Sequence, residues 1–149
     1  MTQGAEMSGI WMAGRERDTM SDQSLRVLIA DDDTDIRRIV RITLERAGFA
    51  VAEAHDGAEA IARVNEIAPP SLVMLDCMMP GALGLDVLRH IRSLPAWNEV
   101  PVIMLTSLES DENVRLCLDA GATDYFLKPF QPNLILLRIR RILAKETKV

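Results

Sequence analysis

The chain has 149 residues, 48% of them apolar and 26% charged, with a net charge of −5. That is one domain's worth of chain with enough apolar content for a single packed core. The negative balance argues against a general nucleic-acid binder, since counterion release needs a basic surface, and no apolar run reaches the ~18 residues of a membrane span.

Residues 1–24 carry no sustained period and are rich in Gly, Ser, Thr and charge, so they read as a disordered arm with one apolar spot at Ile10, Trp11 and Met12. Glu6, Arg15, Glu16, Arg17 and Asp18 break any signal-like leader. From Leu25 the chain alternates strand and helix signals. Val27-Leu28-Ile29-Ala30 reads as a first strand that runs into Asp31-Asp32-Asp33. Ile36, Ile39, Val40, Thr43, Leu44 and Ala47 recur at helical spacing, with Asp33 or Thr34 as cap and Gly48 as stop. Ala50-Val51-Ala52-Glu53 is the least apolar strand, as expected of an edge. Gly57 opens a helix carrying Ala60, Ile61, Val64 and Ile67, stopped by Pro69-Pro70. The run Leu72-Val73-Met74-Leu75 ends in Asp76, ahead of the turn Met79-Pro80-Gly81. Leu85, Val87, Leu88 and Ile91 mark a third helix ending before Pro95, and Trp97 covers a core edge from the following loop. Val102-Ile103-Met104-Leu105 runs into Thr106-Ser107. A fourth helix, from about Ser110 to Ala120, offers only Val114, Leu116, Cys117 and Leu118 and should pack loosely. Tyr125-Phe126-Leu127 runs into Lys128-Pro129, and Pro132 opens a last helix that continues to about Lys145.

Five strands and five helices in strict alternation imply an α/β fold, a doubly wound parallel sheet with helices on both faces. The C-terminal strand tips of such a sheet converge on one edge, where ligands bind. Here that edge gathers an acid cluster, the lone Asp76, the Thr106 hydroxyl and Lys128, a set suited to a divalent cation and a phosphoryl group. Asp33 reads as a capping or surface acid. Cys77 and Cys117 lack pairing or metal-ligand spacing and read as reduced thiols. His55 and His90 stand alone and read as surface residues, neither metal ligand nor general base.

Four stretches resemble the receiver domain of two-component response regulators. They are Leu28-Ile29-Ala30-Asp31-Asp32-Asp33, Leu75-Asp76-Cys77-Met78-Met79-Pro80-Gly81, Val102-Ile103-Met104-Leu105-Thr106-Ser107 and Asp124-Tyr125-Phe126-Leu127-Lys128-Pro129-Phe130. The resemblance makes 25–149 a CheY-like receiver domain and implies the flavodoxin-like strand order 2-1-3-4-5. It implies a Mg²⁺ site of Asp32 and Asp76, with Asp31 acting through a bound water and Met78 through its main-chain carbonyl. Asp76 becomes the phosphoacceptor, with a phosphohistidine on a sensor histidine kinase or phosphotransfer protein as donor. Thr106 and Lys128 hold the phosphoryl oxygens, Lys128 pairs with Asp76 beforehand, and Lys128-Pro129 is cis. Thr106 and Tyr125 move together as a switch. The implied role is a cytoplasmic signalling domain, not an enzyme beyond its own phosphorylation and dephosphorylation. Its implied partners are a downstream protein target or a missing output domain, without direct contact with nucleic acid or membrane. A homodimer face of the fourth helix, fifth strand and fifth helix is also implied, with Asp124 and Arg138 in an intermolecular ion pair and Val114 and Leu134 as an apolar contact.

Three positions depart from the family pattern: Leu83 ahead of Gly84, Met78 two residues past Asp76, and Leu108 two past Thr106. All make the rim more apolar without removing a reacting group. A phosphatase of the haloacid-dehalogenase type needs Asp-x-Asp-x-Thr, but counting from Asp31 the fifth residue is Asp35, and there is no room for a cap insertion. A receiver-like scaffold that binds partners without phosphorylation has no use for the intact set Asp32, Asp76, Thr106 and Lys128.

Overall fold

Residues 25–107 and 111–146 are described by a computed structural model; the expectations for the 1–24 arm and for Leu108 lie outside them. Each apolar run becomes a strand: β1 (Arg26–Ala30), β2 (Ala50–Ala54), β3 (Leu72–Asp76), β4 (Val102–Thr106) and β5 (Asp124–Leu127). Between them lie α1 (Thr34–Arg46), α2 (Gly57–Glu66), α3 (Gly84–Ser93) and α4 (Asp111–Asp119), and α5 (Pro132–Glu146) follows. The strands are all parallel in the order β2-β1-β3-β4-β5, as expected.

Strand periodicity divides the core in two. Leu28, Ala30, Val73, Leu75, Val102 and Met104 face one layer, where Val64 of α2 and Val87, Leu88 and Ile91 of α3 cover them. Val27, Ile29, Leu72, Met74, Ile103 and Leu105 face the other, under Val40 and Leu44 of α1 and Ile135, Ile139 and Ile142 of α5. Because both faces are covered, the three central strands are buried at nearly every residue, which is why they read as unbroken apolar runs. β5 at one edge alternates half-buried and exposed residues instead. Trp97 is buried in the first layer. In α4, Cys117 is buried while Leu116 and Leu118 are exposed. No described helix is long and apolar enough to cross a membrane.

Local chemistry sets the helix ends that border the site. The Asp33 carboxylate accepts the N–H groups of Asp35 (2.9 Å) and Ile36 (3.2 Å), which caps α1. α2 stops at Glu66, ahead of Pro69-Pro70, because Ile67 turns extended and buries itself. A side chain at Gly84 would place its Cβ 2.3 Å from the Asp76 carbonyl oxygen, so only glycine lets the start of α3 press against the end of β3.

Candidate functional site

The register builds the rim. Ala30 lies opposite Leu75, so Asp31 follows level with Asp76; Asp76 lies opposite Leu105, and Thr106 opposite Leu127. Asp31, Asp76, Thr106 and Lys128 are therefore each the last residue of a strand or the first beyond it, and the sheet's stagger sets them side by side. The Lys128 N–H donates to the Thr106 carbonyl oxygen at 2.8 Å, and the Lys128-Pro129 peptide is cis.

Asp31, Asp32 and Asp76 each bring one carboxylate oxygen within 4.8 Å of the others. Asp31 and Asp76 are buried, whereas Asp32 is exposed. Asp31 is pinned at several atoms. Its Oδ1 accepts the Asp33 N–H at 2.9 Å, its own N–H donates to the Ala54 carbonyl at 3.1 Å, and Lys128 Nζ lies 2.8 Å from its Oδ2. Lys128 Nζ lies 3.3 Å from Asp76 Oδ1, so one ammonium serves two buried carboxylates and sits nearer to Asp31 than to the expected Asp76.

Burial pushes the Asp76 carboxyl up to about 7, and the Asp31 charge beside it adds to the rise; Lys128 and the Met78 N–H at 3.4 Å pull the other way without winning. Burial works against the Lys128 ammonium, but Asp31 and then Asp76 outweigh it and hold its pKa above the usual lysine range. With three carboxylates and one ammonium, the rim has excess negative charge, and Asp76 holds its proton more tightly than an ordinary carboxyl does. A divalent cation can replace that proton. The donors are all oxygens and Asp32 leaves one side open, which fits a hard cation such as Mg²⁺ that keeps waters and admits a phosphoryl group.

Thr106 is buried at the tip of β4, and Tyr125 is 37% exposed on β5; both line one small cavity of about 10 Å³ with Met104, Cys77 and Cys117. The Cys77 thiol is hydrogen-bonded to Thr106 and pushed up to about 12, mainly by burial and then by the Cys117 thiol beside it, so both cysteines belong to the packing behind the rim. Met78 and Leu83 expose 55% and 45% of their surface, an apolar shoulder next to Asp76.

His55 is exposed, as expected of a surface residue, and its ring nitrogen pairs with the Glu59 carboxylate, which raises its pKa; His90 Nε2 lies 2.9 Å from Asn65 Oδ1. Asp124 and Arg138 pair within one chain, and the same guanidinium lies 4.9 Å from the Phe126 ring centre. The two residues expected to pair between chains thus already meet across β5 and α5 of one chain. The residues that the sequence reading missed are Arg37, Arg41 and Glu53. Glu53, the one acid in an otherwise apolar strand, accepts Arg37 Nε at 2.9 Å and Arg41 Nη1 at 2.5 Å. The signal was present, as a lone charge in β2 and two arginines four residues apart on α1, but nothing in the chain order joined them.

The described geometry has close counterparts. The chain matches the family described as the response regulator receiver domain over residues 27–140. It is 41% identical to the transcriptional regulatory protein ResD of Bacillus subtilis over 123 residues, 83% of this chain and 50% of ResD. It is 40% identical to the DNA-binding response regulator MtrA of Mycobacterium tuberculosis over 127 residues, 85% of this chain and 54% of MtrA. The receiver domain of the Pseudomonas aeruginosa sensor histidine kinase PA1611, solved with a magnesium ion in its active-site cleft, superposes with a TM-score of 0.74 at 25% identity, covering 83% of this chain and 99% of that one. The chain thus spans about half the length of the curated relatives it matches. These relatives overturn the expectation of no direct contact with nucleic acid, since MtrA is itself a DNA-binding response regulator. The net charge of −5 is a sum over the whole chain, while counterion release concerns only the surface that touches DNA.

Proposed function

The chain belongs to the response regulator receiver domain family, and on that premise we propose that Asp76 takes the phosphoryl group in a Mg²⁺-dependent switch. The observation that carries this reading is the meeting of Asp31, Asp32, Asp76 and Lys128 on one rim, with Thr106 at the adjoining strand tip. An Asp76 carboxylate oxygen attacks the phosphorus of a phosphohistidine on a sensor kinase or phosphotransfer protein. The new P–O bond forms as the P–N bond breaks, and the imidazole leaves with the electron pair. Lys128 holds one phosphoryl oxygen by charge, and the Thr106 hydroxyl donates to another. Asp32, Asp76 and the Met78 carbonyl would hold Mg²⁺, with Asp31 supporting the site from behind. When bound, the ion neutralises charge on the phosphoryl oxygens.

Thr106 and Tyr125 share a cavity wall, which supports their acting as one switch: a hydroxyl drawn toward the phosphoryl group leaves room for the ring to turn inward. To invert a 1:99 equilibrium takes about 5.5 kcal/mol of differential stabilisation. A charge-assisted hydrogen bond supplies ~1.5–3 kcal/mol, so Thr106 and Lys128 act together. The chemistry the domain performs is on itself, and its output is binding. By likeness to MtrA, the process it governs is DNA binding by the protein that carries it, in the cytoplasm. A scaffold that works without phosphorylation is not favoured, because the full reacting set is in place.

The test is labelling by a small phosphodonor such as acetyl phosphate in Mg²⁺. Asp76→Asn, which keeps size and hydrogen bonding, should abolish it with the fold intact. Acid-stable label on that variant, or equal labelling in EDTA, defeats the assignment.

A further inference from the structure

We infer that Arg37 is a positioning residue for the acidic rim: it fixes the main chain of Asp31 by tying it to Glu53 on the neighbouring strand. The inference rests on the Mg²⁺ site proposed above. Arg37 lies in the second turn of α1 and its side chain is 15% exposed. Its Nη1 donates to the Asp31 carbonyl at 2.8 Å while its Nε donates to Glu53 Oε1 at 2.9 Å. Glu53 sits opposite Ile29 in the sheet, so its backbone is rigid. Its other carboxylate oxygen is taken by Arg41. The link therefore runs from a sheet position, through a planar guanidinium, to the carbonyl of a rim acid. The Asp31 N–H is anchored independently on Ala54, so both sides of this residue are held.

The guanidinium is suited to this task because its fork satisfies two acceptors in fixed geometry, which a lysine ammonium on a flexible stem cannot do at once. Loss of the link frees the Asp31 carbonyl to rotate. That movement carries with it the carboxylate on which both Lys128 and the Asp33 N–H depend. Arg41 provides an internal comparison, since it binds the same glutamate but makes no bond to the rim.

Charge and position predict opposite outcomes. Removing a cation beside three acids strengthens binding of a divalent ion by charge alone, whereas loss of positioning weakens it. The experiment is calorimetric titration of the whole chain with Mg²⁺ for the parent, Arg37→Met, Arg37→Lys, Arg41→Met and Asp32→Asn. Amide exchange at Asp31 and Asp33 is followed in the metal-free proteins. Arg37→Met and Arg37→Lys should both bind Mg²⁺ roughly fivefold to tenfold more weakly, the low end of what outer partners of metal ligands control. Both should lose protection at the Asp33 amide, and Arg41→Met should stay within about twofold of the parent. Unchanged or tighter binding in the Arg37 variants overturns the inference, as does an equal loss in Arg41→Met, which marks general loosening. If Arg37→Met does not fold, the charge-retaining Arg37→Lys decides on the same criteria. Failure of the parent to bind Mg²⁺ while folded overturns the metal site itself. A parent that binds, with Asp32→Asn weakened and the Arg37 variants unaffected, sinks only the role of Arg37.

Discussion

Asp76→Asn should make the metal-free domain more stable at neutral and alkaline pH, even though it removes the proposed phosphoacceptor. The Asp76 carboxyl has an ordinary value of 3.8 and stands at about 7 in the fold, because burial and the Asp31 charge penalise its ionised form. Between those two values the folded chain holds a proton that the unfolded chain releases, so raising the pH favours unfolding. At ~1.4 kcal/mol for each tenfold change in proton affinity, the cost approaches about 4 kcal/mol once the pH exceeds 7. Asparagine has no charge to bury, and Asp31 keeps its Lys128 partner at 2.8 Å. Allowing for relaxation around an ionised carboxylate, the variant should gain about 2–4 kcal/mol near pH 8 and almost nothing near pH 4. Urea unfolding in EDTA across that range, with parent and variant side by side, measures the difference directly. Added Mg²⁺ should restore the parent at pH 8 and help the variant far less. A stability gain that is the same at pH 4 and pH 8, or a loss at pH 8, refutes the argument that a buried, repelled charge sets this carboxyl.

Two further outcomes follow from the same rim. Mg²⁺ binding must displace the Asp76 proton below about pH 7, so the apparent affinity should fall about tenfold per pH unit on the acid side and level off above it. Titration in buffers of different ionisation enthalpy should show close to one proton released near pH 6, and a pH-independent affinity across this range counts against the linkage. Met78, 55% exposed beside Asp76, cannot orient a water for in-line attack on an acyl phosphate. Met78→Asn should lose phosphoryl label roughly threefold to tenfold faster than the parent, a small part of the full orientational advantage. A decay rate equal to the parent's means the shoulder does not shield the phosphoryl group.

The relatives change the reading of function more than the coordinates do. The acidic balance suggested partners other than nucleic acid, yet the relatives include a DNA-binding regulator. MtrA, of which this stretch corresponds to 54%, is a DNA-binding regulator. Net charge summed over this chain says nothing about the surface with which such a relative touches DNA.

The order of elements and the residues that share the rim were legible in the chain itself, for a physical reason. A parallel strand covered on both faces must be a short unbroken apolar run, so Leu72-Val73-Met74-Leu75 and its counterparts announce themselves. The polar residue that ends each run stands at a strand tip wherever the strand is placed, so Asp31, Asp76, Thr106 and Lys128 could be named before their neighbours were known. What the tertiary structure alone decided is who meets whom. Lys128 is shared by two carboxylates because stagger puts Asp31 level with Asp76. The Asp76 carboxyl is raised because the surrounding burial and that charged neighbour are contributed by other segments. Arg37 reaches Glu53, sixteen residues away, only because β2 pairs with β1 in a particular register. Periodicity and punctuation act over a few residues and survive in the sequence. Pairings across strands depend on crossover and register, and these are settled only when the sheet closes around its two cores.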